Sequence, residues 1–417
     1  MNELKETIDN APVRAFLVCA DTGEYDAERS MQELKQLAET AGVDTVAQVI
    51  QKRPSYDSAT CIGSGRLAEL AEEAKAQDIE LIIFDSELTA NQTKNIEAVT
   101  DIRVIDRTTL ILDIFAQRAL TAEGRLQVEM AQQKYRLSHL AGKGVAMSRL
   151  GGGIGTRGPG ETKLETDRRH IRSRITALGE QLAELEGRRG LRRSRRKKDN
   201  ILTAAIVGYT NAGKSTLLNA LTDSDVYAED KLFATLDITS RQITLPDGRN
   251  LMLTDTVGFI SRLPHNLVEA FKSTLEEAAN ADIIINVTDI SCDDAKEQTR
   301  VTSQLLSELG CDGIPQIMVL NKCDKLTNTD DIPLDSKTVM ISAKSRTGFD
   351  ELLKCISDNL PAAGRRGFFL IPYDKTGIIN TILIDGKVYT SEYLPEGTLI
   401  DAFVDNKIYH LVEPYRH

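Results

Sequence analysis

The octapeptide Gly208-Tyr209-Thr210-Asn211-Ala212-Gly213-Lys214-Ser215 constrains this chain more than any other feature. It has the GxxxxGK[ST] form of a phosphate-binding loop, and its flanks suit that role. The apolar run Ile201 to Val207 reads as a buried strand entering the loop. Ser215, Thr216, Leu217, Leu218 and Leu221 read as the helix leaving it. A strand, a glycine-rich turn and a helix start direct backbone N–H groups at a polyphosphate. Lys214 is then placed for the outer phosphates, and the Ser215 hydroxyl for Mg2+.

Three further elements follow in order. Asp255-Thr256-Val257-Gly258 closes a second apolar strand, where Asp255 suits Mg2+ through water and the Gly258 N–H suits a γ-phosphate. Asn321-Lys322-Cys323-Asp324 follows the strand Ile317 to Leu320. An aspartate there accepts from N1–H and the exocyclic amine of guanine, a donor pair that adenine lacks. Ser342-Ala343-Lys344, after Val339 to Ile341, reads as the loop that meets the guanine carbonyl with a backbone N–H. Four such elements at strand ends within one α/β segment predict a GTP-binding, Mg2+-dependent GTPase.

The rest of the chain bounds the setting. Its 417 residues, at about 150 per domain, predict two to four domains. No stretch reaches the roughly 18 apolar residues of a membrane span, and the acidic, polar start is unlike a secretory signal. The six cysteines are scattered without a CxxC pair, so reduced thiols in a cytoplasmic protein are expected and a zinc site is not. Net charge is −11, yet residues 142–199 hold sixteen Lys/Arg against seven Asp/Glu. That local +9 leaves −20 elsewhere. The densest part, Arg188 to Lys198, includes Arg192, Arg193, Arg195, Arg196, Lys197 and Lys198 and no acidic residue. A basic centre on an acidic protein predicts a nucleic-acid contact; the plainer alternative is a solvated helical face.

Four units are expected. Residues 1–119 read as an α/β domain, with strands at Val13–Cys19, Thr45–Ile50, Leu81–Phe84 and Ile102–Ile105 alternating with helices, and hence a parallel sheet. Residues 120–199 read as a helical hairpin. Leu126, Met130, Leu137 and Leu140 recur on one helix, and Leu164, Ile171, Ile175, Leu178, Leu182 and Leu185 on the other, at coiled-coil intervals. Between them the glycine-rich stretch from Gly142 to Lys163 reads as a loop, whose Arg149, Arg157 and Lys163 suit a phosphate-rich RNA surface. Residues 200–362 form the nucleotide unit, with a hairpin of Ile238–Leu245 and Asn250–Thr254. Residues 366–417 read as a small α+β domain, with strands at Phe368–Ile371, Val388–Leu394, Leu399–Val404 and Lys407–Leu411 and a helix at Thr376–Ile384.

The blocks Asp106 to Phe115, Glu123 to Glu129 and, above all, Gly153 to Arg169 resemble the HflX family of ribosome-associated GTPases. The resemblance spans nearly the whole chain. It implies a protein, expected to be monomeric, that binds the large ribosomal subunit and splits or rescues stalled ribosomes, with a role in assembly left open. It also implies that the hairpin tip projects toward ribosomal RNA near the peptidyl-transferase centre. In Phe233-Ala234-Thr235-Leu236-Asp237 it makes Thr235 the threonine that meets Mg2+ and the γ-phosphate. Phe259 stands where many GTPases place a water-orienting glutamine, so a catalytic base is not legible, and the expected catalytic set is Lys214, Thr235 and Gly258. Asn211 matches an asparagine that holds K+ in some GTPases lacking that glutamine, which adds K+ as a candidate cofactor. Two alternatives stay open here: an ATP-driven RNA-remodelling activity of the N-terminal domain, and a regulatory GTPase with a protein partner alone. Peripheral membrane association is also compatible with the sequence.

Overall fold

Continuous apolar strands need cover on both faces, and the N-terminal unit supplies it. The computed structural model describes residues 12–148, 159–198, 201–222, 232–233, 239–262, 264, 267, 277–326, 335–360 and 364–417. Strands β1 (Val13–Asp21), β2 (Val43–Lys52), β3 (Leu81–Phe84) and β4 (Arg103–Asp106) form a parallel sheet in the order β2-β1-β3-β4. Between them run α1 (Ala27–Thr40), α2 (Ser64–Ala76) and α3 (Ala90–Thr100). Leu17 and Cys19 of β1 pack with α1, while Phe16 and Val18 share the opposite core with α2 and α3. Two of these helices have side-chain caps: Asp26 accepts from Arg29 N at α1, and Thr89 with Gln92 forms a capping box at α3. Helix α4 (Arg107–Arg118) begins on Asp106, whose carboxylate accepts from Thr109 N at 2.9 Å.

Two long helices follow, α5 (Ala122–Ser148) and α6 (Pro159–Lys198), paired as the expected hairpin. Arg174 reaches Glu129 with two hydrogen bonds of 2.7 and 2.9 Å, and Arg189 pairs with Glu123 at 2.8 Å. The loop expected from Gly142 to Lys163 is shorter than that reading. Helix α5 continues to Ser148, and α6 already starts at Pro159, whose fixed φ suits a first helical turn. Residues 149–158, with Arg149 and Arg157, lie outside the described residues.

The nucleotide unit is a six-stranded sheet in the order β10-β9-β8-β5-β7-β6. Its strands are β5 (Leu202–Gly208), β6 (Thr239–Thr244), β7 (Asn250–Asp255), β8 (Ile283–Asp289), β9 (Gln316–Asn321) and β10 (Thr338–Met340). Every pairing is parallel except the β6–β7 hairpin, which turns through a Gly248 at φ +89°. Helices α7 (Lys214–Thr222), α8 (Ala295–Glu308) and α9 (Phe349–Asn359) flank it.

The C-terminal unit is an antiparallel sheet, β11 (Gly364–Ile371), β13 (Gly397–Asp405) and β12 (Gly386–Leu394) in that order, with α10 (Thr376–Asp385). The strand expected at Lys407–Leu411 is instead part of helix α11 (Asn406–Val412). Ile408, Tyr409 and Val412 are buried at helical spacing against Phe369 and Ile371, and the Phe369 and Tyr409 rings meet edge-on at 6.3 Å. The sheet needs that apolar face as a lid, and a fourth strand would have exposed half of it. Among the described residues, no helix is long and apolar enough to cross a membrane.

Candidate nucleotide site

The phosphate loop is shaped by two close approaches that only glycine allows. Gly208, at φ +147°, ends β5 where a Cβ would stand 2.1 Å from the Val287 carbonyl oxygen. Gly213, at φ +93°, lies where a Cβ would meet Asn321 Nδ2 at 2.3 Å. Asn211 between them is left-handed, at φ +60°. Lys214 opens α7 and folds back under the loop, donating to the carbonyls of Gly208 at 3.1 Å and Tyr209 at 2.8 Å. Burial pushes its ammonium pKa down to about 8, with Asp255 pulling the other way. The Ser215 hydroxyl donates to Asp255 Oδ2 at 2.7 Å, while Thr216 is exposed.

One side chain ties the base end to the phosphate end. Asn321 donates to the Ala212 carbonyl at 2.8 Å and accepts from Ala343 N at 2.9 Å, joining three of the sequence motifs. Lys322, left-handed at φ +65°, pairs with Asp289 at 2.7 Å. Cys323 N donates to the Ile341 carbonyl at 3.2 Å, which anchors the turn carrying Asp324. Asp324 is exposed, and the Ser342 hydroxyl holds its carboxyl below the usual range, helped by Lys344. An ionised, exposed carboxylate is what the N1–H and amine edge of guanine requires, whereas the Ala343 N–H is here taken up by Asn321.

The segment after β7 lies on the loop itself. Thr210 N donates to the Phe259 carbonyl at 2.7 Å, and Phe259 N to the Gly208 carbonyl at 3.1 Å. A Cβ on Gly258 would stand within 2.9 Å of Thr210 and Lys214 Nζ, so Gly258 borders the space beside the lysine. Thr256 Oγ1 donates to the Ile206 carbonyl at 2.8 Å, and Val257 is buried. Phe259 is 2% exposed, a packed ring with no means of holding water. The structure thus brings Gly208 to Ser215, Asp255 to Gly258, Asn321 to Asp324 and Ser342 to Lys344 to the carboxyl edge of one sheet. Ala234, Thr235, Leu236 and Asp237 lie outside the described residues, whereas Phe233 is described. Lys163, Arg192, Arg193 and Arg195 to Lys198 fall within α6, away from this edge in sequence.

Comparison with known proteins decides the kinship. Residues 28–116 match the family described as GTP-binding GTPase N-terminal, 118–196 its GTP-binding GTPase Middle Region, and 203–322 the 50S ribosome-binding GTPase family. A GTPase HflX of Caldanaerobacter subterraneus subsp. tengcongensis is 50% identical over 396 residues, covering 95% of this chain and 92% of that protein. The chain belongs to the GTPase HflX family. GTPase HflX of Escherichia coli K12 is 41% identical over 344 residues, 81% of this chain and 80% of that one. A GTP-binding protein from the archaeon Sulfolobus solfataricus, solved with GDP, shares 25% identity over 83% of this chain and 98% of its own, at a TM-score of 0.44. As an HflX-family member the chain is a GTPase.

This HflX-family chain also holds residues at the site that motif reading missed. The N-terminal unit grips the phosphate loop and the segment behind it. Tyr209 donates to Glu33 and meets Ser261 N at 2.6 Å. Arg107 donates to Glu33 at 2.5 Å, Asp85 at 3.0 Å and the Ser261 carbonyl at 3.1 Å. Arg262, at φ +54°, reaches across to Asp85 at 2.5 Å and Ser30 at 2.9 Å, and stacks 3.7 Å over the Tyr25 ring. Burial alone would raise the Asp85 carboxyl; Arg107 and Arg262 hold it below its ordinary value. The one available sequence signal was a charged pair, Asp106-Arg107, ahead of the apolar residues Leu110, Ile111, Leu112, Ile114 and Phe115.

Proposed function

We propose that this chain binds GTP with Mg2+ at the carboxyl edge of the six-stranded sheet and uses the GTP-bound state to engage the large ribosomal subunit and split stalled ribosomes. The observation that carries the nucleotide half is the Asn321 bridge, which fixes the phosphate loop, the Asp324 turn and the Ser342 loop relative to one another. In this reading the Gly208 to Thr216 loop wraps the phosphates through Lys214 and the N–H groups from Gly213 to Thr216, and Asp324, backed by the Ser342 to Lys344 loop, reads guanine. The Ser215 hydroxyl and the Asp255 carboxylate, 2.7 Å apart, form an oxygen pair suited to a hard dication. Ser215 would hold Mg2+ directly, Asp255 through water, and Thr235 would join them. Bound there, the ion neutralises charge building between the outer phosphates. Asn211 is the residue assigned to a K+ ion, which equal hydrolysis rates in KCl and NaCl would refute.

The ribosomal half rests on the hairpin and on family membership. Residues 203–322 match a family described as a 50S ribosome-binding GTPase, and the basic run lies on the 40-residue α6 that precedes β5. In this reading residues 120–199 carry the RNA contact between an N-terminal unit (1–119) and the nucleotide unit (200–362), in the cytoplasm. Arg149, Arg157 and Lys163 would meet ribosomal RNA near the peptidyl-transferase centre, and Arg192, Arg193 and Arg195 to Lys198 would grip phosphates nearer the nucleotide. Co-sedimentation with isolated subunits in GTP, GDP and a non-hydrolysable analogue tests it, with ribosome splitting followed by light scattering. Large-subunit binding in the GTP-like state supports the reading; equal association with both subunits regardless of nucleotide overturns it.

A further inference from the structure

One hydroxyl of the phosphate loop is enclosed and has no partner among the described residues. Thr210 is 5% exposed, and its Oγ1 meets neither a donor nor an acceptor. An unpaired buried hydroxyl is costly, so its persistence beside a reactive site has to be explained. The Thr210 backbone is fixed, since its N donates to the Phe259 carbonyl at 2.7 Å and Tyr209 pairs with Phe259 as a parallel bridge. Its side chain lies against Gly258. A Cβ built on Gly258 would stand 2.8 Å from the Thr210 methyl, 2.9 Å from the Thr210 Cα and 2.9 Å from Lys214 Nζ. Thr210, the Gly258 backbone and the Lys214 ammonium therefore border one small space. The neighbouring hydroxyls are already committed: Tyr209 to Glu33 and Ser261, Ser215 to Asp255, and Thr256 to the Ile206 carbonyl.

GTP hydrolysis needs an acceptor that orients the water attacking the γ-phosphate, the task a glutamine performs in many GTPases. The enclosed Phe259 ring cannot perform it. We propose that the Thr210 hydroxyl does: it accepts from the attacking water and holds it at the γ-phosphate, at the end of the site bordered by Gly258 and Lys214. A threonine hydroxyl offers two lone pairs, and its hydrogen rotates to suit the partner. A neutral hydroxyl is too weak a base to take the proton, so its contribution is orientation. Orientation removes freedom that the water would otherwise lose on the way to the transition state. The β-branched side chain has few rotamers, which suits a group that must present one oxygen at one place. The proposal rests on the reading of Lys214 and Gly258 as the γ-phosphate end of the site, and it involves no ribosomal partner.

The test uses the full chain. Thr210→Val removes the hydroxyl and keeps the shape, whereas Thr210→Ser keeps the hydroxyl and removes the methyl. Single-turnover GTP hydrolysis, affinities for GDP and for a non-hydrolysable GTP analogue in Mg2+, and nucleotide-free thermal midpoints are measured for each. A hydrogen bond made only in the transition state accounts for about a five- to hundredfold effect, so Thr210→Val should slow hydrolysis by that factor with both affinities unmoved. Its nucleotide-free midpoint should hold or rise, because the deleted hydroxyl has no partner to lose among the described residues. Thr210→Ser should recover most of the rate. Hydrolysis at the parent rate in Thr210→Val would overturn the proposal. So would a fall in affinity that matches the fall in rate, or a lowered midpoint, either of which makes the side chain a packing element. A serine variant as slow as the valine one would assign the effect to the methyl and overturn it too. Lys214→Ala separates this inference from the reading it rests on. Normal turnover in Lys214→Ala sinks the site assignment itself, whereas its loss beside a silent Thr210→Val sinks the water role alone.

Discussion

At the scale of single residues, Lys214 and Asp324 carry opposite demands. Lys214 is buried with its pKa drawn down to about 8, so above that pH it is largely neutral in the free protein. A bound triphosphate favours the charged form, so GTP binding above pH 8 should take up a proton and weaken as pH rises. Titration calorimetry in two buffers of different ionisation enthalpy reads this directly; no proton uptake at alkaline pH would contradict it. Folding has the opposite sign. The unfolded chain binds more protons between about 8 and the ordinary lysine value of 10.5, so this group makes folding more favourable as pH climbs through that window. Asp324 is ready for a donor pair, and Asp324→Asn should move preference toward xanthine nucleotides. An unmet buried hydrogen bond costs roughly 1–3 kcal/mol, so GTP affinity should fall about tenfold or more, and unchanged binding would reject the role. These residues were legible because a phosphate loop and a guanine contact demand fixed residue types at fixed spacing. Glu33, Asp85, Arg107 and Arg262 were not, since an ion pair such as Arg262–Asp85 joins positions 177 apart, and periodicity carries no information about such partners.

At the scale of elements, hydrophobic spacing was a good guide where one face is buried and a poor one where a short segment is ambiguous. The strand Leu81–Phe84 and the helix Ala27–Thr40 follow their patterns closely, and two paired helices stand where the leucine-rich spacing was read, with Leu178 alone of the described seam residues fully buried. The segment around Lys407–Leu411 was too short for its period to show, and it became α11 because the sheet needed a cover. The glycine-rich stretch yielded to helix at both ends, up to Ser148 and from Pro159, despite the cost of glycine inside a helix. The basic end of α6 makes its own prediction. Changing Arg192, Arg193, Arg195 and Arg196 to Gln should weaken large-subunit binding and flatten its dependence on salt, with GTP affinity unchanged. Sedimentation across a salt series measures the slope, and an unaltered slope would place the phosphate contacts elsewhere.

At the scale of the whole molecule, the ion network at Asp85 joins two units into one mechanical body. Its side chain is fully enclosed, as is nearly all of Arg107, and Asp85→Ala takes from that cation one of two carboxylates while Glu33 stays in place. Leaving a buried charge wholly unpaired costs about 3–5 kcal/mol, so this change should cost less than that in urea unfolding, and Arg262→Ala, whose side chain is 30% exposed, less again. The enclosed Phe259 cannot orient water from the position where many GTPases carry a glutamine, so purified large subunits should raise GTP turnover well above the free rate. Absence of stimulation, with binding verified, would refute this, and Phe259→Gln is not expected to substitute for the ribosome. Helix α6 adds a mechanical property. Its 40 residues make a rod of about 60 Å at 1.5 Å per residue, and three residues separate Lys198 from the strand β5 that ends in the phosphate loop. By geometry alone, any tilt of so long a rod about its β5 end displaces the far end at Pro159 much further than the residues near Gly208, so coupling between the two ends would be strongly asymmetric in amplitude.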